Sequence, residues 1–308
     1  FFAQWDALRA RARAKGVKIV GDIPIFVAAD SVDVWANRAL FLLKEDGSPI
    51  DVAGVPPDYF SADGQLWGNP LYDWKEHEAS GFRWWIDRIR AALRLYDVVR
   101  VDHFRGFEAF WAVPAGEKTA REGEWRKAPG HELFKAIRAE LGEDLPIIAE
   151  DLGLITEEVR DLRDRFDLPG MKILQFAFDF KEGGKGLDPR NAFLPHNYPR
   201  GCVVYTGTHD NDTTRGWLDK AGADERAFMA EYLGLPPAAG AGEIVDGLVR
   251  EALKSVADLA VIPAQDLLGL GAEARMNVPS TLGGNWAWRL ESDALDAELA
   301  GRLARMTR

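Results

Sequence analysis

The stretch VVRVDHFRG, residues 98–106, places several groups that could do chemistry at the end of an apolar run. Side chains alternate in direction along a strand, so Arg100 and Asp102 are expected to project to one side and Val99 and Val101 to the other. A guanidinium next to a carboxylate favours the ionised carboxylate. Asp102 is therefore a candidate nucleophile or electrostatic stabiliser, although a purely structural ion pair would produce the same pattern.

A second acidic group follows another apolar run, in IIAEDLG, residues 147–153. Neighbouring strands lie about 4.8 Å apart, so Asp102 and Glu150 on adjacent strand ends could approach the roughly 5 to 5.5 Å that separates the two carboxyl groups of retaining glycosidases. The apolar neighbours of Glu150 favour the raised pKa of a general acid. Asp151 could equally be no more than a helix-capping residue.

A third polar cluster, TGTHDNDT at residues 206–213, follows the apolar run CVVY and contains His209 and Asp210. It is richer in short polar groups than a turn requires, although Asn and Asp are ordinary turn formers. Carboxylates and histidines could also bind a metal ion, but the sequence contains no HExxH, no HxH and no EF-hand spacing. No metal site and no organic cofactor are predicted.

Aromatic residues indicate a class of substrate. The chain has 11 tryptophans, and the stretch PPDYFSADGQLWGNPLYDW, residues 56–74, reads as a polar, Gly- and Pro-rich loop that cannot bury all its rings by itself. Tyr59, Phe60, Trp67 and Tyr72 could present flat apolar faces to sugar rings. The alternative is that these rings pack the loop onto the body of the protein.

Six apolar runs alternate with helical patterns, which predicts a parallel sheet covered by helices. The runs lie in VKIVGDIPIF, DVVRVD, LPIIAED, GMKILQF, GCVVYTG and DLAVIPAQD. A doubly wound nucleotide fold should show a glycine-rich turn after its first strand, and neither GxGxxG nor GxxxxGK[ST] occurs. A (β/α)8 barrel instead builds its active site at the carboxyl ends of its strands, where Asp22, Asp102, Glu150, Asp210 and Asp266 fall. We therefore predict an α/β protein with a (β/α)8 barrel.

Composition and charge exclude several classes of partner. The net charge of −11 is spread along the chain, which argues against a nucleic-acid or anionic-membrane surface. Cys202 is the only cysteine, so no intramolecular disulfide is possible and a reducing compartment is expected. No apolar run approaches the roughly 18 residues of a membrane span, and no signal peptide is evident. These features predict a cytoplasmic protein that acts on a neutral small substrate.

Seven segments, taken in order, closely resemble the 4-α-glucanotransferases called amylomaltase or disproportionating enzyme, glycoside hydrolase family 77 of the α-amylase clan. The segments are GDIPIFVAADSVDVWAN, VPPDYFSADGQLWGNPLY, VRVDHFRGF, IIAEDLG, TGTHDNDT, PAQDLLGLG and MNVPSTLGGNWAWR. The resemblance implies a (β/α)8 barrel of the α-amylase clan. Because the chain opens at Phe1 within a helical pattern, we expect an amino-terminally truncated barrel that lacks its first two strands. Residues 1–308 would then form a partial catalytic barrel with inserted loops at 51–80 and a helical insertion at 215–257.

The resemblance also implies residue roles. Asp102 would be the nucleophile that forms a glycosyl-enzyme intermediate, Glu150 the general acid/base, and Asp210 the residue that holds sugar hydroxyls and distorts the ring. Substrate contacts are implied for Asp22, Arg100, His103 and His209, with Tyr59 and Trp67 in the loop that covers the acceptor side. Asn277, Trp286 and Trp288 match the carboxyl-terminal motif and are taken as structural.

The implied function is a retaining transfer of α-1,4-glucan segments between maltooligosaccharides by a monomeric enzyme. An α-amylase-like glucan hydrolase would use the same three carboxylates and is the nearest alternative. An inactive glucan-binding fragment is the alternative from another class, and the intact acidic set argues against it. A chain that fails to fold without a separate amino-terminal piece is a third possibility, because open parallel sheets leave edge strands unpaired.

Overall fold

The computed structural model describes residues 1–57, 61–178, 188–281 and 283–307. The chain divides into two compact units, Phe1–Gly170 and Met171–Arg308. Both units contain parallel strands and helices, as expected for the α/β class. Across the described residues, no helix combines the length and the apolar character needed to cross a bilayer.

The first unit contains two sheets and several helices. Its strands are β1 (Val20–Pro24), β2 (Asp51–Val55), β3 (Gln65–Pro70), β4 (Val98–Asp102), β5 (Ala109–Pro114), β6 (Glu124–Lys127) and β7 (Ile147–Ala149). Its helices are α1 (Phe2–Ala14), α2 (Val32–Ala36), α3 (Trp74–Ala79), α4 (Arg83–Leu95), α5 (Gly130–Leu141) and α6 (Glu157–Arg165).

The parallel sheet of this unit has the order β1-β4-β7 and carries three of the predicted strand-end acids. Its register places Asp22 beside Arg100, and Arg100 beside Ile148. Val99 and Val101 are buried in one core with the apolar face of α4, including Trp85. Burial of alternate strand residues against helices explains why β4 reads as apolar and still presents Arg100 and Asp102 together.

An antiparallel sheet of order β3-β2-β5-β6 was not predicted. The segment 51–80, which we expect to be an insertion, contains β2, β3 and α3. The strand β3 reads QLWGNP, with Gly68 at φ +80° and three consecutive residues exposed, so it lacks the alternating apolar pattern of a strand. Its extended conformation is stabilised by pairing with β2, and β2 in turn pairs with β5.

The second unit has a sheet of order β10-β9-β8, in which β9 and β10 are parallel. The strands are β8 (Gly170–Ile173), which begins at the last residue of the first unit, β9 (Cys202–Tyr205) and β10 (Leu259–Val261). The helices are α7 (Leu174–Phe178), α8 (Thr214–Lys220), α9 (Ala223–Tyr232), α10 (Ala241–Lys254), α11 (Ala264–Leu267) and α12 (Ala297–Met306). The predicted helical insertion, 215–257, covers most of α8 and all of α9 and α10.

The six predicted strands are confirmed as β1, β4, β7, β8, β9 and β10. The run GMKILQF is strand only as far as Ile173, because α7 begins at the next residue. Cys202 lies buried in the core of the second unit with Leu218 and Leu248.

Candidate active site

Arg100 links two carboxylates of the first unit. Its Nη1 donates to both carboxylate oxygens of Asp22, over 2.9 and 2.8 Å, and its Nη2 lies 2.9 Å from Oδ1 of Asp102. Arg100 itself is buried, whereas the Asp22 and Asp102 side chains are half exposed. The prediction that Arg100 and Asp102 project to the same side is confirmed. The buried guanidinium fixes the orientation of Asp102 and stabilises its negative charge.

Glu150 lies directly after β7 and is buried. Its Oε2 accepts from the backbone N–H of His103 over 2.7 Å, and its Oε1 accepts from the N–H of Leu152 over 2.9 Å. Burial, together with the negative charge of Asp102, raises the pKa of Glu150 to about 8 against the opposing effect of Arg100. Glu150 therefore carries a proton at neutral pH, as a general acid must.

His103 occupies the sharp turn between β4 and the 3-10 helix Phe104–Phe107. Its φ of +53° is unusual for a residue other than glycine, and this turn directs its backbone N–H at Glu150. Burial, with a smaller contribution from the nearby positive charge of Arg105, lowers the pKa of the His103 ring to about 3. The imidazole is therefore neutral at physiological pH and can serve as a hydrogen-bonding group.

The aromatic residues predicted to contact sugar separate into two groups. Tyr72 is 2% exposed and its hydroxyl donates to the Ile25 carbonyl over 2.6 Å, so the packing interpretation is confirmed for this ring. Trp67 is 37% exposed and stands edge-to-face against the His103 ring, with 4.7 Å between ring centroids. Tyr59 and Phe60 lie outside the described residues.

Asp210 belongs to the second unit and follows β9. Its Oδ1 accepts from Nδ2 of Asn277 over 2.6 Å, and its Oδ2 lies 3.3 Å from Nε2 of His209. Its backbone carbonyl accepts from Nη2 of Arg275 over 2.6 Å. The His209 ring in turn lies 5.2 Å from the Trp286 ring. The polar loop thus presents a half-exposed carboxylate whose direction is fixed by its neighbours.

Two further acids near strand ends, Asp266 and Asp151, form contacts within the protein. The buried carboxylate of Asp266 accepts from the hydroxyl of Thr206 over 2.5 Å and from the hydroxyl and N–H of Thr214 over 2.6 and 2.7 Å. Asp151 forms an ion pair with Arg163 of α6, while Thr156 occupies the amino-terminal cap of that helix. The helix-capping interpretation of Asp151 is therefore wrong, because its buried carboxylate pairs with the Arg163 guanidinium instead.

The contacts of Arg275 and Asn277 with Asp210 are not predicted by the sequence. The Nε of Arg275 also donates to the Asn277 carbonyl over 2.8 Å. The two residues therefore stabilise one turn that faces Asp210. The polar residues Arg275 and Asn277 in the stretch RMN are the only local signal of this role. No spacing rule connects them with the loop that contains Asp210, 65 residues before Arg275. In the described ranges, no group of three or more His, Cys, Asp or Glu side chains is arranged to hold a metal ion.

Comparisons with known proteins agree with this arrangement. A family model described as 4-alpha-glucanotransferase (Glyco_hydro_77) matches residues 1–295. The chain is 56% identical over 315 residues to the 4-alpha-glucanotransferase of Thermus thermophilus and 54% identical over 308 residues to that of Synechocystis. Each alignment covers 99% of this chain, and the chain spans only 60% and 59% of those relatives' lengths, respectively.

Among solved structures, the amylomaltase from Streptococcus agalactiae in complex with acarbose matches with a TM-score of 0.92 and 42% identity. That match covers 100% of this chain and 60% of the other. The amylomaltase of Corynebacterium glutamicum, at 22% identity and a TM-score of 0.80 over 99% of this chain and 48% of the other, shares the fold. These matches confirm the α/β class and the (β/α)8 barrel of the α-amylase clan. The chain belongs to the 4-alpha-glucanotransferases of glycoside hydrolase family 77.

Proposed function

We propose that this protein is a retaining 4-α-glucanotransferase that moves α-1,4-glucan segments between maltooligosaccharides through a covalent glycosyl-enzyme intermediate. The observation that carries this proposal is the pairing of Glu150, which holds a proton at neutral pH, with Asp102, whose carboxylate is bound by Arg100. An acid and an anion with opposite protonation preferences are the two groups that retaining glycoside chemistry needs. The names of the relatives support transfer as the reaction.

In the first half of the reaction, a carboxylate oxygen of Asp102 attacks C1 of the donor sugar. The bond from C1 to the glycosidic oxygen breaks, and Glu150 gives its proton to that oxygen as the leaving glucan departs. Glu150 is then a carboxylate. Arg100 keeps the Asp102 oxygen in place for the attack through the 2.9 Å contact with Nη2.

In the second half, the 4-hydroxyl of an incoming glucan gives its proton to Glu150 and attacks C1. The ester bond to Asp102 breaks, and the carboxylate is regenerated. Two inversions at C1 retain the α configuration. The donors to Glu150, the backbone N–H groups of His103 and Leu152, stabilise its carboxylate in the interval between the two proton transfers.

The remaining predicted site residues keep the roles that the family resemblance implies. We propose that Asp210 holds sugar hydroxyls and distorts the reacting ring, a role that suits a carboxylate oriented by Asn277. Asp22, His103 and His209 are proposed substrate contacts. Trp67, partly exposed beside His103, supports an aromatic contact to sugar on the acceptor side, and Tyr59 is proposed for the same side.

A product analysis tests the function. Incubation with maltotriose followed by separation of the products should give a ladder of longer maltooligosaccharides together with shorter ones. Glucose and maltose alone would favour the α-amylase-like hydrolase. Binding of maltooligosaccharide without any product would favour the glucan-binding alternative. Asp102→Asn should abolish transfer and leave binding measurable, and unchanged activity in this variant would remove Asp102 from the nucleophile role.

We further propose that residues 1–308 form part of one catalytic barrel, with 51–80 and 215–257 as insertions. Residues of 51–80 pair in an antiparallel sheet that is separate from the parallel sheet, which supports the assignment of 51–80 as an insertion. A cytoplasmic, monomeric protein without a cofactor, a nucleic-acid partner or a membrane partner is also proposed. The net charge of −11 and the single buried cysteine support this part.

A further inference from the structure

Arg105 connects the two loops that carry Asp102 and Glu150. It lies in the 3-10 helix directly after β4, and its Nη1 donates to the backbone carbonyl of Leu154, in the loop after β7. The Arg105 guanidinium also packs over the ring of Trp125 in β6, with 3.9 Å between the guanidinium carbon and the ring centroid. Arg105 is 6% exposed, and burial lowers the pKa of its guanidinium against the opposing negative charges of Glu108 and Glu158.

The two loops also meet through backbone groups near the proposed acid. The N–H of Phe104 donates to the Glu150 carbonyl over 3.0 Å, and the N–H of His103 donates to the Glu150 carboxyl. Arg105 adds a side-chain contact four residues further along the second loop, at Leu154. Residues 103–105 therefore hold the segment 150–154 at both of its ends.

We propose that Arg105 is a positioning residue that fixes the segment 150–154, and with it the carboxyl group of Glu150, against the turn at His103. The inference rests on the proposed role of Glu150 as acid/base. Arg105 reaches no reacting atom, so it acts through the backbone of the loop. The Trp125 ring supports this contact, because it packs against the guanidinium that donates to the Leu154 carbonyl.

Lysine is not equivalent to arginine at this position. The planar guanidinium can stack on the Trp125 ring and donate to a carbonyl in its own plane at the same time. An ammonium group keeps the charge but cannot make both contacts with this geometry. Arg105→Lys therefore tests position with little change in the local charge.

Loosening of the segment has a defined consequence at Glu150. Burial is the largest contribution to its raised pKa, so admission of water to a loosened loop should move that pKa back toward the ordinary value for glutamate. The proton-transfer geometry should also degrade. A misplacement of about 1 Å in a catalytic group can cost on the order of a hundredfold in rate.

Arg138 provides a matched control in the same unit. Its Nη2 donates to the Phe166 carbonyl over 2.5 Å, and its guanidinium carbon lies 5.1 Å from the Phe166 ring centroid. Its Nε, like that of Arg105, is buried and without a hydrogen bond in the described part of the chain. Arg138→Lys thus disturbs the same kinds of contact, together with the 3.0 Å ion pair of Arg138 with Asp167, without touching the segment 150–154.

The decisive measurement does not depend on activity. Protein labelled with carboxyl-13C glutamate is titrated by NMR, with the Glu150 signal assigned by its loss in Glu150→Gln. Arg105→Lys should lower the titration midpoint of Glu150 by about one pH unit or more and accelerate hydrogen exchange at the His103 and Leu152 amides. Arg138→Lys should change neither. An unchanged Glu150 titration and unchanged amide exchange in a folded Arg105→Lys protein would overturn the proposal.

Trp125→Leu covers the case in which Arg105→Lys does not fold. Trp125 is 40% exposed, so its replacement removes the stacking surface at a modest cost in packing. It should shift the Glu150 titration in the same direction by a smaller amount, and the absence of any shift would also overturn the proposal.

Kinetics separate this inference from the proposed function. With maltotriose, Arg105→Lys should lower kcat on the order of tenfold or more with little change in KM, and the alkaline limb of its pH profile should move to lower pH. If the unsubstituted protein transfers no glucan, the proposed function fails, while the NMR titration still decides the role of Arg105. If it transfers glucan and Arg105→Lys matches its kcat and pH profile, only the positioning role fails.

Discussion

The backbone N–H of His103 donates to Oε2 of Glu150 over 2.7 Å, so the residue that directly follows the proposed nucleophile holds the proposed acid. The contact is local to β4 and β7, which are neighbours in the parallel sheet. It makes the relative position of Asp102 and Glu150 depend on one turn. The first two predictions concern this turn and the proton that Glu150 carries.

Gly106→Ala should disturb the His103 turn. A Cβ at this position would lie 2.7 Å from Cδ1 of Ile25 and 3.3 Å from the His103 ring, so the turn or the core must shift. We expect a loss of about 1–3 kcal/mol in the free energy of unfolding and a fall in kcat. Chemical denaturation and maltotriose transfer assays measure the two effects.

Gly242→Ala is the control for this substitution. Gly242 lies in α10 with no neighbouring atom within 4 Å of an added Cβ. Alanine is the better helix former, so a gain of up to about 1 kcal/mol is expected with no change in transfer. Equal stability of the Gly106→Ala and unsubstituted proteins would show that the turn tolerates a side chain.

The pH dependence of transfer should report the proton on Glu150. Its pKa of about 8 means that the acid form is populated up to that pH and is lost above it. In a series from about pH 6 to about pH 10, kcat/KM for maltotriose should be level and then fall above pH 8. Glu150→Gln should lose most of its activity at every pH. A rate that falls steadily from pH 6 upward would instead assign an ordinary pKa to Glu150 and contradict its role as a buried acid.

Much of this site could be predicted from sequence because the relevant signals are local. The alternation in VVRVD places Arg100 and Asp102 on one side, and the apolar neighbours of Glu150 predict its burial and raised pKa. The register of β4 with β7, which brings the two strand ends together, also follows from the rule that parallel strands end at a common edge. The observed order β1-β4-β7 confirms that β4 and β7 are neighbours in the parallel sheet.

Features set by distant pairing could not be predicted. The strand β3 has a glycine and a proline and little apolar alternation, and only its partner β2 makes it a strand. Arg275 contacts a carbonyl 65 residues away, and Thr206 and Thr214 share Asp266, which the sequence analysis grouped with the acids of the active site. Strand-end position identifies candidates, but it does not show which carboxylates are already bound by the protein itself.

Asp266 and Asp210 should therefore respond differently to substitution. Asp266→Ala removes the acceptor of three hydrogen bonds and leaves buried donors on Thr206 and Thr214 without partners. We expect a loss of about 2–4 kcal/mol in the free energy of unfolding. Asp210→Ala should change stability by less than about 1 kcal/mol, because its carboxylate is half exposed, and should abolish transfer.

Denaturant titration of both variants, with the transfer assay, separates the two roles. Thr206→Val with Asp266 intact should cost less than Asp266→Ala, since it removes one of the three hydrogen bonds. If Asp266→Ala unfolded at the same denaturant concentration as the unsubstituted protein, the carboxylate would be free for another role and the structural assignment would be wrong.

His77 should make the protein sensitive to mild acid. The imidazole is fully buried among aromatic rings, with centroids 5.2 Å from Tyr72 and 5.3 Å from Trp74. Burial lowers its pKa to about 4, whereas a histidine in the unfolded chain titrates near 6.5. Between these values the unfolded chain binds a proton that the folded protein does not. Stability is therefore lost as the pH falls through this range, by about 3 kcal/mol for the whole interval.

His77→Phe keeps the aromatic packing and removes the titrating group. Denaturation midpoints measured from about pH 7 down to about pH 4 should decline less steeply for this variant than for the unsubstituted protein, because His77 no longer takes up a proton on unfolding. Carboxylates account for the decline that remains. Parallel curves for His77→Phe and the unsubstituted protein would mean that His77 takes up its proton in the folded state as readily as in the unfolded chain.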